Sequence, residues 1–313
     1  MAAGSINSLK SEMAAQTARL GNILLPKPAR HPVFIGSGDS YAACLLAVAV
    51  CGGHSQALVP SQAMTLAESA ALDKRSPVFI ASVSGKTKDN ILTAKMLKSQ
   101  GFKVTAVTSD PSSPLAKACG RSIELETEGR QKVPTAGTLS FLTTFLKCSA
   151  LCAPLTLPPI PEALFGKAKK RAGRIINLLG SQEWSCFYFL GDSITYPVAL
   201  YGALKVNEIL GEKAFAYDTR EFTHAPLFSV KSNDAVICID TTKEGDRLSK
   251  RLRKIGMSAV FSDCSGVNAL ESALIAVFTA QLVVLELATQ RGIDECFFLS
   301  DKEMLRLSSD LIY

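Results

Sequence analysis

A short pattern occurs twice in this 313-residue sequence: an apolar run that ends in Gly-Asp-Ser, followed by a helix-like stretch. The copies are VFIGSGDSYAA at residues 33–43 and FLGDSITYPVA at residues 189–199, with the two triplets 153 positions apart. A buried strand that runs through a glycine turn into a helix is typical of α/β proteins. We therefore expect two copies of one α/β unit, with the triplets at equivalent places.

Short apolar runs alternate with helical stretches through both halves of the chain. The predicted strands are Val33–Gly36, Val78–Ser82, Lys103–Val107, Ser122–Leu125, Phe187–Leu190, Lys213–Ala216, Ala235–Ile239 and Ala259–Ser262. The predicted helices include Ser40–Cys51, Asp89–Gln100, Pro197–Leu210 and Leu248–Ile255. Apolar strands that are each followed by a helix are typical of parallel sheets covered on both faces. The predicted fold class is α/β, with two tandem doubly wound α-β-α sandwich domains, each with a mainly parallel sheet.

The predicted boundary between the domains is the segment APLTLPPIPE, residues 153–162. Its four prolines interrupt helices and strands alike, which indicates a linker. We expect residues 1–152 to form an N-terminal helix and the first domain. Residues 163–313 are predicted to form the second domain and a C-terminal tail.

Charge and composition favour a soluble protein. The formal net charge is +6, and the densest basic run, residues 167–174, contains no aromatic residue and is predicted to be a solvated helix face. No signal-peptide pattern occurs in residues 1–20. The apolar stretch at residues 273–287 is short for a membrane span and is predicted to be a buried strand-to-helix segment. We expect a cytoplasmic protein without nucleic-acid or membrane partners.

Nine scattered cysteines are predicted to be free thiols, mostly in the core, as suits a reducing compartment. Cys148 and Cys152 are spaced to share a helix face, but no histidine lies near them and no CxxC pair exists, so we expect no metal site. The turn after the first strand has Tyr41 where a dinucleotide fingerprint has its third glycine, and no Walker lysine loop occurs. No cofactor is expected.

The turn after the first strand, Gly36-Ser37-Gly38-Asp39-Ser40, allows close approach of a ligand to the backbone. The segment ASVSGKTKDN, residues 81–90, gathers hydroxyl groups around Gly85 between a strand and a helix. Its hydroxyl-bearing residues are Ser82, Ser84 and Thr87. Hydroxyls and helix N–H groups suit a phosphate, to which Lys86 or Lys88 would add positive charge. The alternative is an ordinary capping turn, because Ser and Thr favour helix starts.

These residues resemble the sugar-isomerase (SIS) domain family, whose phosphosugar loop is Ser-x-Ser-Gly-x-Thr. Ser82, Ser84, Gly85 and Thr87 match that loop. The resemblance also implies that Gly38, Asp39 and Ser40 belong to the family's opening loop, where Ser40 matches a serine that helps to hold the substrate. Since a carboxylate beside a phosphate is unfavourable, we expect Asp39 to point away or to contact sugar hydroxyls.

The second half resembles the isomerase part of glutamine–fructose-6-phosphate aminotransferases. Those enzymes carry a lysine, a glutamate three residues later and a histidine before Gly-Pro-Leu. Lys205, Glu208 and His224 keep these relative positions, His224 being followed by Ala-Pro-Leu. The resemblance implies that these residues are catalytic and that the protein is a homodimer with active sites shared between subunits. The glutaminase half has no counterpart in this sequence, so we expect no use of glutamine.

The family's catalytic lysine in the C-terminal tail has no clear match. Ungapped alignment from Arg291–Asp294 places it at Glu303, and a one-residue gap moves it to Lys302. The last residues, RLSSDLIY, do not fit the family tail. Lys302 is kept as a candidate for this role.

The combined residues form an acid–base set for sugar-phosphate chemistry. Histidine suits proton transfer during ring opening, a carboxylate moves the proton between C1 and C2, and a lysine forms a Schiff base or stabilises an enediolate. Lys205 and Glu208 also fit a simple surface ion pair, and His224 fits a structural role. The predicted function is isomerisation or deamination of an (amino)sugar 6-phosphate, such as glucosamine 6-phosphate. The alternatives are a hexose-phosphate isomerase without deamination and a non-catalytic phosphosugar sensor.

Overall fold

A computed structural model describes residues 4–127, 137–157, 161–180 and 182–313. These residues form two compact units, each built on one parallel sheet. The five-stranded unit comprises residues 22–127, 137–157 and 302–313. The four-stranded unit comprises residues 4–21, 161–180 and 182–301. The predicted fold class, α/β with two mainly parallel sheets, is confirmed.

Elements are numbered along the chain. The five-stranded unit contains the strands β1 (Val33–Gly36), β2 (Gln56–Leu58), β3 (Val78–Ala81), β4 (Val104–Thr108) and β5 (Ser122–Glu124). Its helices are α2 (Asp39–Cys51), α3 (Pro60–Glu68), α4 (Lys88–Ser99), α5 (Pro114–Cys119), α6 (Thr138–Cys152) and α12 (Lys302–Ile312). The strand order is β2-β1-β3-β4-β5, and every neighbouring pair is parallel.

The four-stranded unit contains the strands β6 (Cys186–Gly191), β7 (Ala214–Asp218), β8 (Asp234–Asp240) and β9 (Ser258–Asp263). Its helices are α1 (Ser5–Leu20), α7 (Pro161–Leu179), α8 (Tyr196–Leu210), α9 (Lys243–Lys254), α10 (Ala269–Gln290) and α11 (Phe297–Ser300). Two short 3-10 turns, Glu221–Thr223 and Pro226–Ser229, follow β7. The order β7-β6-β8-β9 is again parallel throughout.

Burial explains why the central strands were predictable. All four residues of β1 and all four of β3 are buried, as expected for strands covered by helices on both faces. Every predicted strand is present within two residues of its predicted ends. The strand β2 was missed because it is a three-residue edge strand whose residues are partly or fully exposed.

The apolar stretch at residues 273–287 lies within the single long helix α10. The helix is long and apolar enough to cross a membrane, but 89% of its most apolar window is buried inside the protein. The prediction of a buried segment is therefore confirmed, whereas its strand portion is wrong. A core helix with apolar residues on every side gives no amphipathic period by which to assign it.

The two ends of the chain differ from the predicted domain boundaries. Helix α1 belongs to the four-stranded unit, where it packs on α7 and α10. There the buried Gln16 Nε2 donates a hydrogen bond to Gln281 Oε1 (2.9 Å), and Ser5 Oγ accepts one from Cys296 N (2.7 Å). Helix α12 belongs to the five-stranded unit. These long-range partners leave no local sequence signal.

The predicted linker, residues 153–162, is shorter than expected. Residues 153–157 have no helix or strand, residues 158–160 lie outside the described part, and α7 already begins at Pro161. Proline is favoured in the first turn of a helix, because an N–H there has no intrahelical partner. The prediction of nine free thiols is confirmed, and seven of them are buried.

Candidate functional site

The order of the strands fixes where the five-stranded unit can bind a ligand. The neighbours β1 and β3 are parallel, while their following helices lead to β2 on one side and to β4 on the other. A crevice forms at the carboxyl ends of two strands whose connections diverge in this way. The predicted binding residues after β1 and after β3 therefore border the same crevice.

Residues 82–87, which we call the hydroxyl loop, connect β3 to α4. Ser82 Oγ and Thr87 Oγ1 are 3.2 Å apart and share a hydrogen bond. Thr87 occupies the N-cap position of α4, yet its side chain makes no capping hydrogen bond. The capping-turn alternative therefore does not explain Thr87, and the amides of the first turn of α4 are not occupied by its hydroxyl.

Gly85 is required by the geometry of the hydroxyl loop. Its φ is +62°, and an added Cβ would lie 2.2 Å from Ser113 Oγ and 2.9 Å from Thr108 Oγ1. Its N–H donates to Ser82 O (3.0 Å), and its carbonyl accepts from Leu115 N (3.0 Å). The left-handed backbone and the close neighbours both exclude a side chain. The loop is thus held against α5.

Asn90, on α4, is a residue that the sequence reasoning missed. It is buried, its Nδ2 donates to Ala81 O (3.3 Å), and its Oδ1 accepts from Ser37 Oγ (3.4 Å). One amide thus joins the end of β3 to the turn after β1. The available signal was an uncharged polar residue on the helix face that also carries Ala94 and Leu97.

The two lysines of this region differ in their surroundings. Lys88 Nζ donates to the backbone carbonyl of Asp310 in α12 (2.8 Å), so its ammonium is directed at the C-terminal helix. Lys86 is exposed. The pKa of Asp110 is lowered, first by hydrogen bonds from Ser112 and further by the charges of Lys86 and Lys117. The positive charge of Lys86 is thus partly balanced by the nearby carboxylate of Asp110.

Asp39 is the first residue of α2. An added Cβ on Gly137 would lie 3.4 Å from Asp39 Oδ2, which places this carboxylate at the start of α6, where Gly137 is the N-cap. The positive end of a helix favours a carboxylate at this position. Gly38 has a φ of +54°, and no atom of the described residues lies within 4 Å of an added Cβ there.

The two Gly-Asp-Ser triplets do not occupy equivalent places, contrary to our expectation. Asp39 begins a helix, whereas Asp192 directly follows β6 and lies four residues before α8. The structural counterpart of Gly191 is Gly36, because each ends its strand and each has backbone of the next helix start within 3 Å of an added Cβ. The triplets are shifted because the turn after β6 is longer.

Carboxylates line the matching crevice of the four-stranded unit. Asp192 accepts hydrogen bonds from Thr195 Oγ1 (3.0 Å) and Thr241 Oγ1 (3.2 Å). Asp240, at the end of β8, is fully buried and accepts from Thr219 Oγ1 (2.8 Å) and from Thr242 N (2.9 Å). Burial and, second, the neighbouring charge of Asp240 raise the pKa of Asp192. Two carboxylates in this crevice oppose the binding of a phosphate.

The acid–base candidates Lys205, Glu208 and His224 lie in the four-stranded unit. Lys205 Nζ and Glu208 Oε2 form a direct ion pair on α8. The side chain of Lys205 is 2% exposed and that of Glu208 is 41% exposed, so the ion pair is half-buried rather than fully on the surface. A buried ammonium is stable only with partners, and the Glu208 carboxylate provides one. The other side of Glu208 is open to solvent.

His224 and Lys302 lie on other elements. His224 is exposed between the two 3-10 turns that follow β7, and its backbone N–H donates to Glu221 O (3.1 Å). Lys302 is the exposed first residue of α12 and belongs to the five-stranded unit. The structure therefore brings Lys205 and Glu208 together, and it places His224 on a separate loop of the same unit.

Comparison with known proteins gives a family match over most of the chain. The family model of the SIS domain matches residues 27–153 and 182–256. A glutamine–fructose-6-phosphate aminotransferase of Pyrobaculum aerophilum is 28% identical over 240 residues, which is 72% of this chain and 39% of that protein. The corresponding protein of Pyrococcus horikoshii is 26% identical over 200 residues, 59% of this chain and 32% of its own length. The chain thus spans at most about two fifths of these relatives.

Solved structures share the fold at low sequence identity. A glucosamine-6-phosphate deaminase from Thermotoga maritima superposes with a TM-score of 0.72 at 21% identity, covering 93% of this chain and 95% of that chain. The C-terminal domain of glucosamine-fructose-6-phosphate aminotransferase from Francisella tularensis gives 0.70 at 19%, covering 92% and 96%. Tagatose-6-phosphate ketose/aldose isomerase from Escherichia coli gives 0.63 at 19%, covering 92% and 90%.

The packing of the hydroxyl loop predicts the effect of a side chain at Gly85. Gly85→Ala places an alanine in the left-handed region and also displaces Ser113. Gly101→Ala has only the backbone cost, because its φ is +88° and no described atom lies within 4 Å of the added Cβ. We expect both to destabilise, and Gly85→Ala by about 1–3 kcal/mol more, the usual cost of overpacking. Urea unfolding followed by circular dichroism measures the difference. Equal losses would show that Ser113 does not confine the loop.

Proposed function

Because the chain belongs to the SIS domain family, we propose that it is an enzyme acting on a sugar 6-phosphate. The reaction is aldose–ketose isomerisation, deamination of an amino sugar phosphate, or both, and the substrate that we favour is glucosamine 6-phosphate. The products are then fructose 6-phosphate and ammonia. No step needs a cofactor or a metal.

The observation that carries this proposal is the hydrogen-bonding state of the hydroxyl loop. Thr87 bonds to Ser82 instead of capping α4, and Ser84 Oγ accepts a hydrogen bond from Lys86 N (3.3 Å), so the Thr87 hydroxyl does not occupy the first amides of the helix. A phosphate there accepts hydrogen bonds from hydroxyls and amides at the positive end of a helix. The loop has no carboxylate of its own, in contrast to the crevice at Asp192 and Asp240.

The proposed chemistry needs two proton-transfer groups. His224 moves a proton between the ring oxygen and O1 as the ring opens. Glu208 then removes the C2 proton of the open aldehyde and returns it to C1, through an enolamine if C2 carries nitrogen. The resulting C2 imine adds water and releases ammonia, leaving the ketone. Lys205 positions the Glu208 carboxylate through their ion pair.

The relatives support an amino sugar over a plain hexose. The Thermotoga glucosamine-6-phosphate deaminase and the Francisella glucosamine-fructose-6-phosphate aminotransferase connect an amino sugar with this fold. The Escherichia isomerase supports the second candidate, a ketose/aldose isomerase without ammonia release. One coupled assay separates them: glucosamine 6-phosphate is supplied, and ammonia and fructose 6-phosphate are measured together. Equal amounts of both indicate the deaminase.

We further propose a homodimer in which His224 serves the partner's active site. Its exposed loop position supports a role outside its own sheet. Co-expressing a His224→Ala chain with a Glu208→Gln chain should then restore part of the activity, since hybrid dimers contain one intact site. If purified heterodimers stay inactive, each chain uses its own histidine.

The phosphate-binding role predicts a binding defect for Ser84→Ala/Thr87→Ala. Two donors to a charged group are lost, each worth about 1.5–3 kcal/mol, so affinity for glucosamine 6-phosphate should fall about 100-fold or more. Calorimetry measures the change. The matched control is Ser109→Ala, which removes one hydroxyl bond to the loop carbonyl Val83 O while Thr108 Oγ1 still donates to it. An unchanged affinity in the double variant would place the phosphate elsewhere.

The base role predicts a catalytic defect without a binding defect. Glu208→Gln keeps the size of the side chain but cannot accept the carbon proton, so turnover should fall by about 10² or more. Exchange of the C2 proton with deuterated water, followed by NMR, measures this step directly. Glu208→Asp is the control for the buried Lys205, since it keeps the charge and withdraws the carboxylate.

Two outcomes would contradict these roles. Full exchange by folded Glu208→Gln would exclude Glu208 as the base. If the wild-type protein binds glucosamine 6-phosphate and glucose 6-phosphate, yet shows neither exchange nor ammonia release, the enzyme proposal fails and the phosphosugar sensor replaces it.

A further inference from the structure

A cavity of about 220 Å³ lies in the four-stranded unit between α9 and the loop that follows β7. We call it the arginine cavity. It is lined by Thr219, Arg220, Thr223, Glu244, Arg247, Leu248 and Arg251. None of these residues has a role in the proposed reaction.

The arginine cavity has an excess of positive charge. Three arginines and one glutamate are among its lining residues. The carboxylate, Glu244, is 3.9 Å from Arg247 Nη1 in a largely exposed pair, a contact that contributes little. Among the described residues, Arg220 and Arg251 have no ion-pair partner. The cavity thus attracts an anion with more than one negative charge.

Two different elements, the loop after β7 and α9, supply the arginines, whose side chains are exposed. The Arg220 backbone is held by Asp218 Oδ1, which accepts from Arg220 N (2.8 Å), and by Thr223 Oγ1, which donates to Arg220 O (2.7 Å). On α9, the residues at 244, 247, 248 and 251 follow the spacing of one helix face. Arginines on an ordinary solvated helix face would all come from one helix. Here Arg220 comes from a loop and lies across the cavity from the arginines of α9.

Size and chemistry select the class of ligand. A volume of 220 Å³ is below the ~300–1,000 Å³ of pockets for drug-sized molecules. Guanidinium groups match phosphate oxygens with paired hydrogen bonds. We propose that the arginine cavity binds a small phosphorylated molecule, whose phosphate contacts Arg220, Arg247 and Arg251 and whose remainder packs on Leu248. This inference does not rest on the proposed function, because the hydroxyl loop belongs to the other unit.

Calorimetry with inorganic pyrophosphate at low salt tests the proposal on the full chain. The Ser84→Ala/Thr87→Ala variant serves as the background, so that binding at the hydroxyl loop is weakened. In this background, Arg247→Gln/Arg251→Gln should lower pyrophosphate affinity at least about tenfold. The matched control, Lys243→Gln/Lys254→Gln, removes the same charge from exposed ends of the same helix and should change affinity less than about twofold.

Arg220→Gln, on the loop, should also weaken binding several-fold, which separates ligand contact from a defect in α9. Equal losses in the arginine and lysine variants would mean attraction by net charge alone and would overturn the proposal, as would absence of pyrophosphate binding in the background variant. If the wild type binds pyrophosphate and the background does not, the anion occupies only the hydroxyl loop. That result overturns the arginine cavity and leaves the proposed function intact.

Discussion

The parallel pairing of β1 with β3 is the constraint on which the rest of the five-stranded unit depends. Their register, from Val33 opposite Val78 to Gly36 opposite Ala81, ends both strands at one level. Because the chain leaves these ends in opposite directions, two turns and two helix starts border one crevice. The buried Asn90 amide then joins the turn after β1 to the end of β3. A ligand at this edge meets donors that are already in place, so little ordering is required on binding.

The two sheets share one pattern of strand order, but different side chains lie at their crevices. In the four-stranded unit Asp192 and Asp240 occupy the corresponding crevice, and threonine hydroxyls donate to both carboxylates. The protein's own negative charges thus take up the donors that a phosphate would use. In the five-stranded unit the donors of the hydroxyl loop face no such carboxylate from within the loop. The crevice of the five-stranded unit is therefore better suited to a phosphate than the crevice at Asp192 and Asp240.

Local patterns made the central strands and the hydroxyl loop predictable. A buried parallel strand such as β3 must be apolar throughout, and the strand-to-helix turn after it is marked by small and hydroxyl-bearing residues such as Gly85 and Thr87. The features that were missed depend on distant partners. Lys205 is buried by tertiary packing. Helix α1 belongs to the unit of the second sheet, and Lys88 bonds to Asp310, so both features join residues far apart in sequence. The false equivalence of the two Gly-Asp-Ser triplets arose because three identical letters concealed turns of different length.

A crystal structure of the protein with glucosamine 6-phosphate is the most direct test of the central claim, that the hydroxyl loop holds the substrate phosphate. We expect phosphate oxygens within hydrogen-bond distance, about 2.6–3.2 Å, of Ser84 Oγ, Thr87 Oγ1 and the first amides of α4. The sugar should extend from the phosphate toward the turn at Gly38. A well-defined sugar phosphate at the crevice of Asp192 and Asp240, with the hydroxyl loop empty, would contradict it.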